Sequence, residues 1–193
     1  MNTTRTYRMD TRRAAAEATR ERIVSAAVDA FLAGWYDEVT IQDVAGAAGV
    51  SGQTVINHFG GKEPLFAAAV ARISEEIGAR RDSAPAGDVG AAIDALAEDY
   101  EITGDATIRL LALEDRVGQV GPLLAEGRGH HREWVTTTFG RPDLLPELVV
   151  ATDVYTWKLL RRDQGLSAQA TRESIRRTVL ALLALEPQEK MQP

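Results

Sequence analysis

The chain has no cysteine among its 193 residues, which excludes disulfides and thiolate chemistry. Nothing near its start resembles a signal peptide, whose apolar core would be uninterrupted by charge, so a cytoplasmic protein is expected. The longest apolar run, residues 179–185, is far too short to span a membrane and reads as a buried helix face, so no membrane partner is expected. Net positive charge is lacking too: the balance is −6 and the pI about 5.2, so bulk charge offers no case for nucleic acid. There is no glycine-rich phosphate loop, no nucleophile elbow and no metal-ligand cluster. The adjacent His130 and His131 leave a helix on different sides and cannot chelate one ion as an i, i+4 pair does. An enzyme is not expected, and no catalytic residue, metal or cofactor is assigned.

What is present starts with residues 40–62, TIQDVAGAAGVSGQTVINHFGGK. The Thr40 hydroxyl can cap a helix starting near Ile41, and Asp43 sets a carboxylate at the positive helix end, a weaker form of the capping box. Ile41, Val44, Ala45 and Ala48 recur at three- and four-residue spacing, and Gly49 can leave the helix with positive φ. Ser51 caps a second helix, with Val55 and Phe59 facing a core and Gly52, Gln53, Ile56 and Asn57 turned away, until Gly60 and Gly61 stop it. Small residues at the crossing let two helices meet at a steep angle, as a helix-turn-helix requires. The same spacing also serves helical hairpins that contact proteins.

The flanks carry more. Upstream, Ile23, Ala26, Ala27, Ala30 and Phe31 form a helical stripe ending before Gly34, and Trp35, Tyr36 and Val39 make an apolar connection into Thr40. Downstream, Lys62, Glu63 and Pro64 open a helix whose stripe Leu65, Phe66, Val70, Ile73 and Ile77 runs to about Arg80. In its run through GWYDEVTIQDVA, then AGVS, then HF followed by KEPLF, the chain over residues 19–66 resembles the TetR family of transcriptional regulators.

The resemblance implies an all-α fold: an N-terminal three-helix helix-turn-helix DNA-binding domain and a C-terminal helical ligand-binding and dimerisation domain. It implies a homodimer that binds a double-stranded, pseudo-palindromic operator, acts as a repressor and is released by a small-molecule effector. Position by position, Gly52, Gln53, Thr54, Ile56 and Asn57 would face base edges, and Thr40, Ser51, His58 and Lys62 would lie near phosphates. The amides of Gln53 and Asn57 each have the geometry to pair with adenine N6 and N7. Position 56 departs from the family, which very often has a phosphate-donating tyrosine there; Ile56 cannot make that bond but can press on a thymine methyl. The alternative is a ligand-sensing or protein-interaction module that has lost operator binding, for which Ile56 and the acidic balance speak.

Residues 1–18 read as a basic, flexible arm: Arg5, Arg8, Arg12, Arg13, Arg20 and Arg22 face only Asp10, Glu17 and Glu21 in the first 22 residues. Such an arm either follows phosphates or is a solvated tail. A small-residue stretch at 82–90 divides the helix-turn-helix domain of 19–66, with its connecting helix to about 80, from a second domain of 82–193. Five helices are expected there, at 88–103, 105–117, 122–139, 143–163 and 168–185, with glycines and prolines between them. Tyr100, Arg109, His130, Trp134, Tyr155 and Trp157 are candidate lining for an effector pocket, or else core and surface. The resemblance implies a four-helix dimer interface, for which Val150, Val154, Leu159, Ile175, Val179, Leu182 and Leu183 are candidates, or else they are buried within one chain.

Overall fold

A computed structural model describes residues 3–85, 87–118 and 120–186, with side chains from residue 11 onward. Among the described residues there is no strand, and the chain divides into two compact units, Met1–Ile73 and Ser74–Pro193.

The first unit holds α1 (Thr3–Ala33), α2 (Ile41–Ala48), α3 (Gly52–Phe59) and the start of α4 (Lys62–Asp82). The segment expected as a flexible arm is helical from Thr3. Its alanines, arginines and glutamates from Arg12 to Arg22 are strong helix formers and continue without a break into the buried stripe. That stripe, Ile23, Val24, Ala26, Ala27, Val28 and Phe31, is the core face of α1. Phe31, Tyr36 and Phe66 form an aromatic knot: Phe66 meets Phe31 and Tyr36 edge-on at 4.7 and 4.9 Å between centroids. Val39, Val44, Ala45, Ala48, Val55, Leu65 and Ala69 complete the core.

The second unit holds the last turns of α4, then α5 (Val89–Leu111), α6 (Val120–Phe139), α7 (Leu145–Thr152), α8 (Val154–Lys158) and α9 (Ala168–Leu183). A 3₁₀ turn, Pro142–Leu144, precedes α7, and a π-helical turn, Leu159–Asp163, follows α8. Ile93, Leu96 and Tyr100 of α5, Val135 and Phe139 of α6, Leu148 and Ala151 of α7, Val154 and Trp157 of α8, and Ile175 and Val179 of α9 make one core.

Two of the expected helix boundaries are corrected. Gly104 does not separate helices at 88–103 and 105–117; α5 runs through it. The glycine is a seat: a Cβ there would lie 2.4 Å from Cζ3 and 2.6 Å from Cη2 of the fully buried Trp157. Conversely, the helix expected at 143–163 breaks at Asp153, whose backbone is extended (φ −74°, ψ 152°) and whose carboxylate accepts the Tyr155 N–H at 2.8 Å. The π turn then carries Arg161 to Glu101 and Arg162 to Asp105, whose carboxylate receives both guanidinium bonds at 2.9 Å. Glu101 also accepts the Trp157 indole N–H at 3.0 Å, so the ring is fixed at its polar edge as well as by its seat.

Gly104→Ala is therefore expected to destabilise the protein by about 1–3 kcal/mol, because neither a buried indole nor a helix backbone can withdraw cheaply. Gly78→Ala, with open space around the new Cβ on α4, should instead add about 0.5–1 kcal/mol. Urea unfolding of the two variants beside the wild type checks both signs.

Candidate nucleic-acid interface

The geometry of α2 and α3 is set by local bonds. The Asp43 N–H donates to Thr40 Oγ1 at 3.1 Å while the Thr40 N–H donates to Asp43 Oδ2 at 3.0 Å, so the capping box is reciprocal rather than the weaker form expected. The Thr40 hydroxyl also donates to that Oδ2 at 2.6 Å, and this bond, followed by the backbone one, holds the Asp43 carboxyl below its ordinary pKa. At the other end Gly49 turns left-handed (φ 67°), and the Val50 N–H reaches back to Ala45 O at 2.9 Å. A Cβ at Gly49 would meet nothing within 4 Å, so torsion rather than space selects glycine there. Ser51 Oγ then accepts the Thr54 N–H at 3.1 Å and starts α3, which Gly60 ends with φ 85°.

With Val55 wholly buried, α3 turns Gln53, Ile56 and Asn57 outward as one contiguous i, i+3, i+4 face, and Ile56 is 40% exposed. Gln53 Nε2 donates to Asn57 Oδ1 at 2.9 Å, a link that the four-residue spacing allowed but that the sequence reading did not make. Gly52 is partly covered and adds no side chain. Thr54 turns its hydroxyl to Ser51 Oγ at 2.9 Å, within the cap rather than on the outward face.

Of the residues expected near phosphates, Thr40 and Ser51 are exposed at helix starts with their hydroxyls engaged in caps. His58 is partly exposed beside Phe59. Lys62 holds its ammonium 4.4 Å above the Tyr36 ring and 3.5 Å from Asp37 O, which fixes the α4 start against the aromatic knot. On α1, Arg12, Arg13 and Arg22 are exposed, and Arg20 lies 5.2 Å from the Phe59 ring. The side chains of Arg5 and Arg8 lie outside the described residues.

In the second unit, the six pocket candidates fall in different settings. Tyr100 and Trp157 are core, Arg109 is half-buried on α5, Trp134 packs on His131 and Phe139, and His130 and Tyr155 are exposed. An open groove of about 500 Å³ lies elsewhere, lined by Pro146, Glu147, Val150, Ala151, Thr156, Thr178 and Leu182. Among the dimer candidates, Val154, Ile175 and Val179 are core residues and cannot be surface contacts; their stripes face inward within one chain. Val150 and Leu159 are exposed, and Leu182 and Leu183 are half-buried.

Sequence reading missed a buried polar chain in this unit. Asp99 is fully buried on α5, and Arg81 Nε donates to its Oδ2 at 2.8 Å while Arg80 Nε lies 3.1 Å from Oδ1. Burial pushes the Asp99 carboxyl above its ordinary pKa, and the guanidiniums of Arg81 and Arg80 oppose the push. Arg81 Nη1 lies 3.2 Å from His131 Nδ1, and His131 Nε2 lies 3.1 Å from Thr152 Oγ1. A guanidinium only donates, and the Thr152 hydroxyl already donates to Leu148 O at 2.7 Å. His131 must therefore accept at Nδ1 and donate at Nε2, the neutral tautomer. The signal for this chain was Asp99 itself, a carboxylate between Leu96 and Thr103 on the buried face of α5.

A short, doubly capped helix pair with one exposed polar and apolar face on its second member has the geometry of a helix-turn-helix. Residues 23–69 match the family model of bacterial regulatory proteins of the tetR family. No curated protein matches the chain. Solved structures with the same fold include a tetR-family transcriptional regulator from Streptomyces coelicolor, 21% identical, covering 87% of this chain and 82% of that one with a TM-score of 0.68. A TetR-family member from Streptomyces coelicolor A3 is 20% identical, covering 83% of this chain and 97% of its own at 0.66. The multidrug binding protein EbrR complexed with imidazole is 20% identical, covering 82% of this chain and 88% of its own at 0.62. Residues 23–69 are thus similar to the N-terminal domain of tetR-family regulatory proteins, and the chain shares the fold of the solved TetR-family structures. Among the described residues no helix is long and apolar enough to cross a membrane.

The neutral His131 gives stability a pH dependence. Burial, then the Arg81 charge, lowers its pKa to about 4 from an ordinary 6.5. An unfolded chain takes up this proton below about 6.5 and the folded one refuses it until about 4. Through His131, stability should therefore fall across that window as pH drops, by on the order of 3 kcal/mol, and this residue should add no further loss below it. Denaturant titrations at several pH values should show this slope in the wild type and its loss in His131→Gln, whose amide can both accept from Arg81 and donate to Thr152.

Proposed function

We propose that the chain is a repressor that binds a pseudo-palindromic operator as a homodimer and is released by a small molecule. The outward face of α3, Gln53 with Ile56 and Asn57, carries this reading, since an exposed isoleucine between two amides suits base edges better than water. Gly52 lets the start of α3 approach the bases closely, and the hydroxyls of Thr40 and Ser51, His58 and Lys62 flank the groove as phosphate contacts. Exposed Arg12 and Arg13 extend that contact along α1.

For the dimer, the supporting feature is the apolar surface on α7–α9. Val150 is 66% exposed, Tyr155, Leu159 and Leu180 are about half exposed, and Val150 and Leu182 line the open groove. Association through these helices would bring two copies of α3 into one assembly, as a pseudo-palindromic operator requires. Effector release is supported by fold likeness to a multidrug binding protein, complexed with imidazole. The competing reading, a sensing or interaction module without an operator, draws on Ile56 and the net charge of −6.

Selection of duplexes from a random pool by the purified protein, repeated with metabolite mixtures, separates the two. A pseudo-palindrome whose affinity falls with rising salt is expected, and absence of enrichment at low salt would favour the interaction module. Ile56→Tyr, which restores a phosphate-donating hydroxyl, should tighten binding about fivefold at high salt, the worth of one hydrogen bond. An unchanged affinity and salt slope would remove position 56 from the phosphate contacts. Val150→Asp should convert the dimer to monomer in sedimentation runs at micromolar concentration; a dimer of unchanged strength would mean that another face is used.

A further inference from the structure

Resting on the operator-binding reading above, we propose that Gln53 and Asn57 read one A·T base pair together, as a single composite amide, with Ile56 set against the thymine methyl. The observation is the 2.9 Å bond from Gln53 Nε2 to Asn57 Oδ1 on the exposed face of α3. It leaves the Gln53 carbonyl as the free acceptor, with one unused N–H on Gln53 and the amino group of Asn57 as donors. Turning both amides over reverses the bond and moves the free carbonyl to Asn57.

That inventory fits one base edge in the major groove. Adenine presents an N6–H donor beside the N7 acceptor, so the free carbonyl takes the first and the free amino group fills the second. Guanine presents two acceptors, O6 and N7, which the N–H groups can meet only by leaving the free carbonyl without a donor. Cytosine offers a donor with no neighbouring acceptor, and thymine an acceptor beside a methyl. The mutual bond also favours the paired rotamers before DNA arrives, which lowers the ordering cost of binding. Ile56 follows Gln53 by three positions and precedes Asn57, giving the same face an apolar element at 40% exposure. A thymine methyl is the one apolar group on the major-groove edge of a base pair. Thr54 does not compete, because its hydroxyl is held at Ser51, and Val55 is buried.

The test uses duplexes that the wild-type protein enriches from a random pool, with binding measured for the wild type and for Gln53→Ala, Asn57→Ala, the double variant and Ile56→Ala. One A·T pair per half-site is expected whose exchange for G·C, or whose adenine replaced by 7-deazaadenine, costs about tenfold in affinity. Each single amide variant should abolish that preference, and the double variant should lose no more than the larger single loss. Replacing the paired thymine by uracil should weaken the wild type several-fold and Ile56→Ala hardly at all. Additive losses from the two amide variants would mean two independent readers and would overturn the composite. So would an enriched site with no A·T pair sensitive to these residues, or indifference of the wild type to uracil for the thymine contact. Failure of the wild type to enrich any sequence is a separate result, and it would remove the operator reading itself.

Discussion

The left-handed turn at Gly49 is the constraint on which the helix-turn-helix unit depends. A side chain there has room but the wrong torsion, at a cost of roughly 1–2 kcal/mol for any residue with a Cβ. Because the turn is only Gly49, Val50 and Ser51 long, its φ angle sets the direction in which α3 leaves α2. The caps at Thr40 and Ser51 then fix the start of each helix, and burial of Val55 fixes the rotation of α3. Direction, start and rotation together decide which side chains face outward, so the exposed face of α3 follows from a backbone torsion and two hydroxyls.

The C-terminal unit is organised by a different kind of interaction. Its core is apolar on most sides, but Asp99 brings a charge into it that only the paired arginines of α4 make tolerable. From Arg81 the chain of polar contacts passes through His131 to Thr152, and the carbonyl of Thr152 accepts the Tyr100 hydroxyl at 2.9 Å. Four helices are thus tied by groups that cannot slide past one another as aliphatic side chains can. A neutral histidine in the middle makes the arrangement directional, since each group has a defined donor or acceptor role.

How much could be read in advance follows the range of the interactions. Caps and turns act over three to five residues, and Thr40, Asp43, Gly49, Ser51 and Gly60 all occupy the roles their residue types suggest. Stripes such as Ile23 to Phe31 are legible because helical periodicity is local. Gly104 looked like a breaker because its reason lies 53 positions away in Trp157, and no neighbour in sequence reveals it. Val154, Ile175 and Val179 looked like interface for a related reason: an apolar stripe announces burial without saying whether the same chain or a second copy provides it. The Gln53–Asn57 bond sat at a readable spacing, yet two exposed amides have many rotamers, and the contact emerges only with the helix built.

The π turn at Leu159–Asp163 has a consequence for how the chain tolerates changes of length. A π turn packs one residue more into a turn than an α-helix does, and here the surplus is anchored by the Gln164 N–H donating to Leu159 O at 2.9 Å. The excess is confined between Trp157, locked in its seat, and Ser167, which caps α9. Tightening this turn to α-helical geometry by losing one residue would rotate Arg161 and Arg162 away from Glu101 and Asp105, so the length of this stretch is set by the two ion pairs that close it.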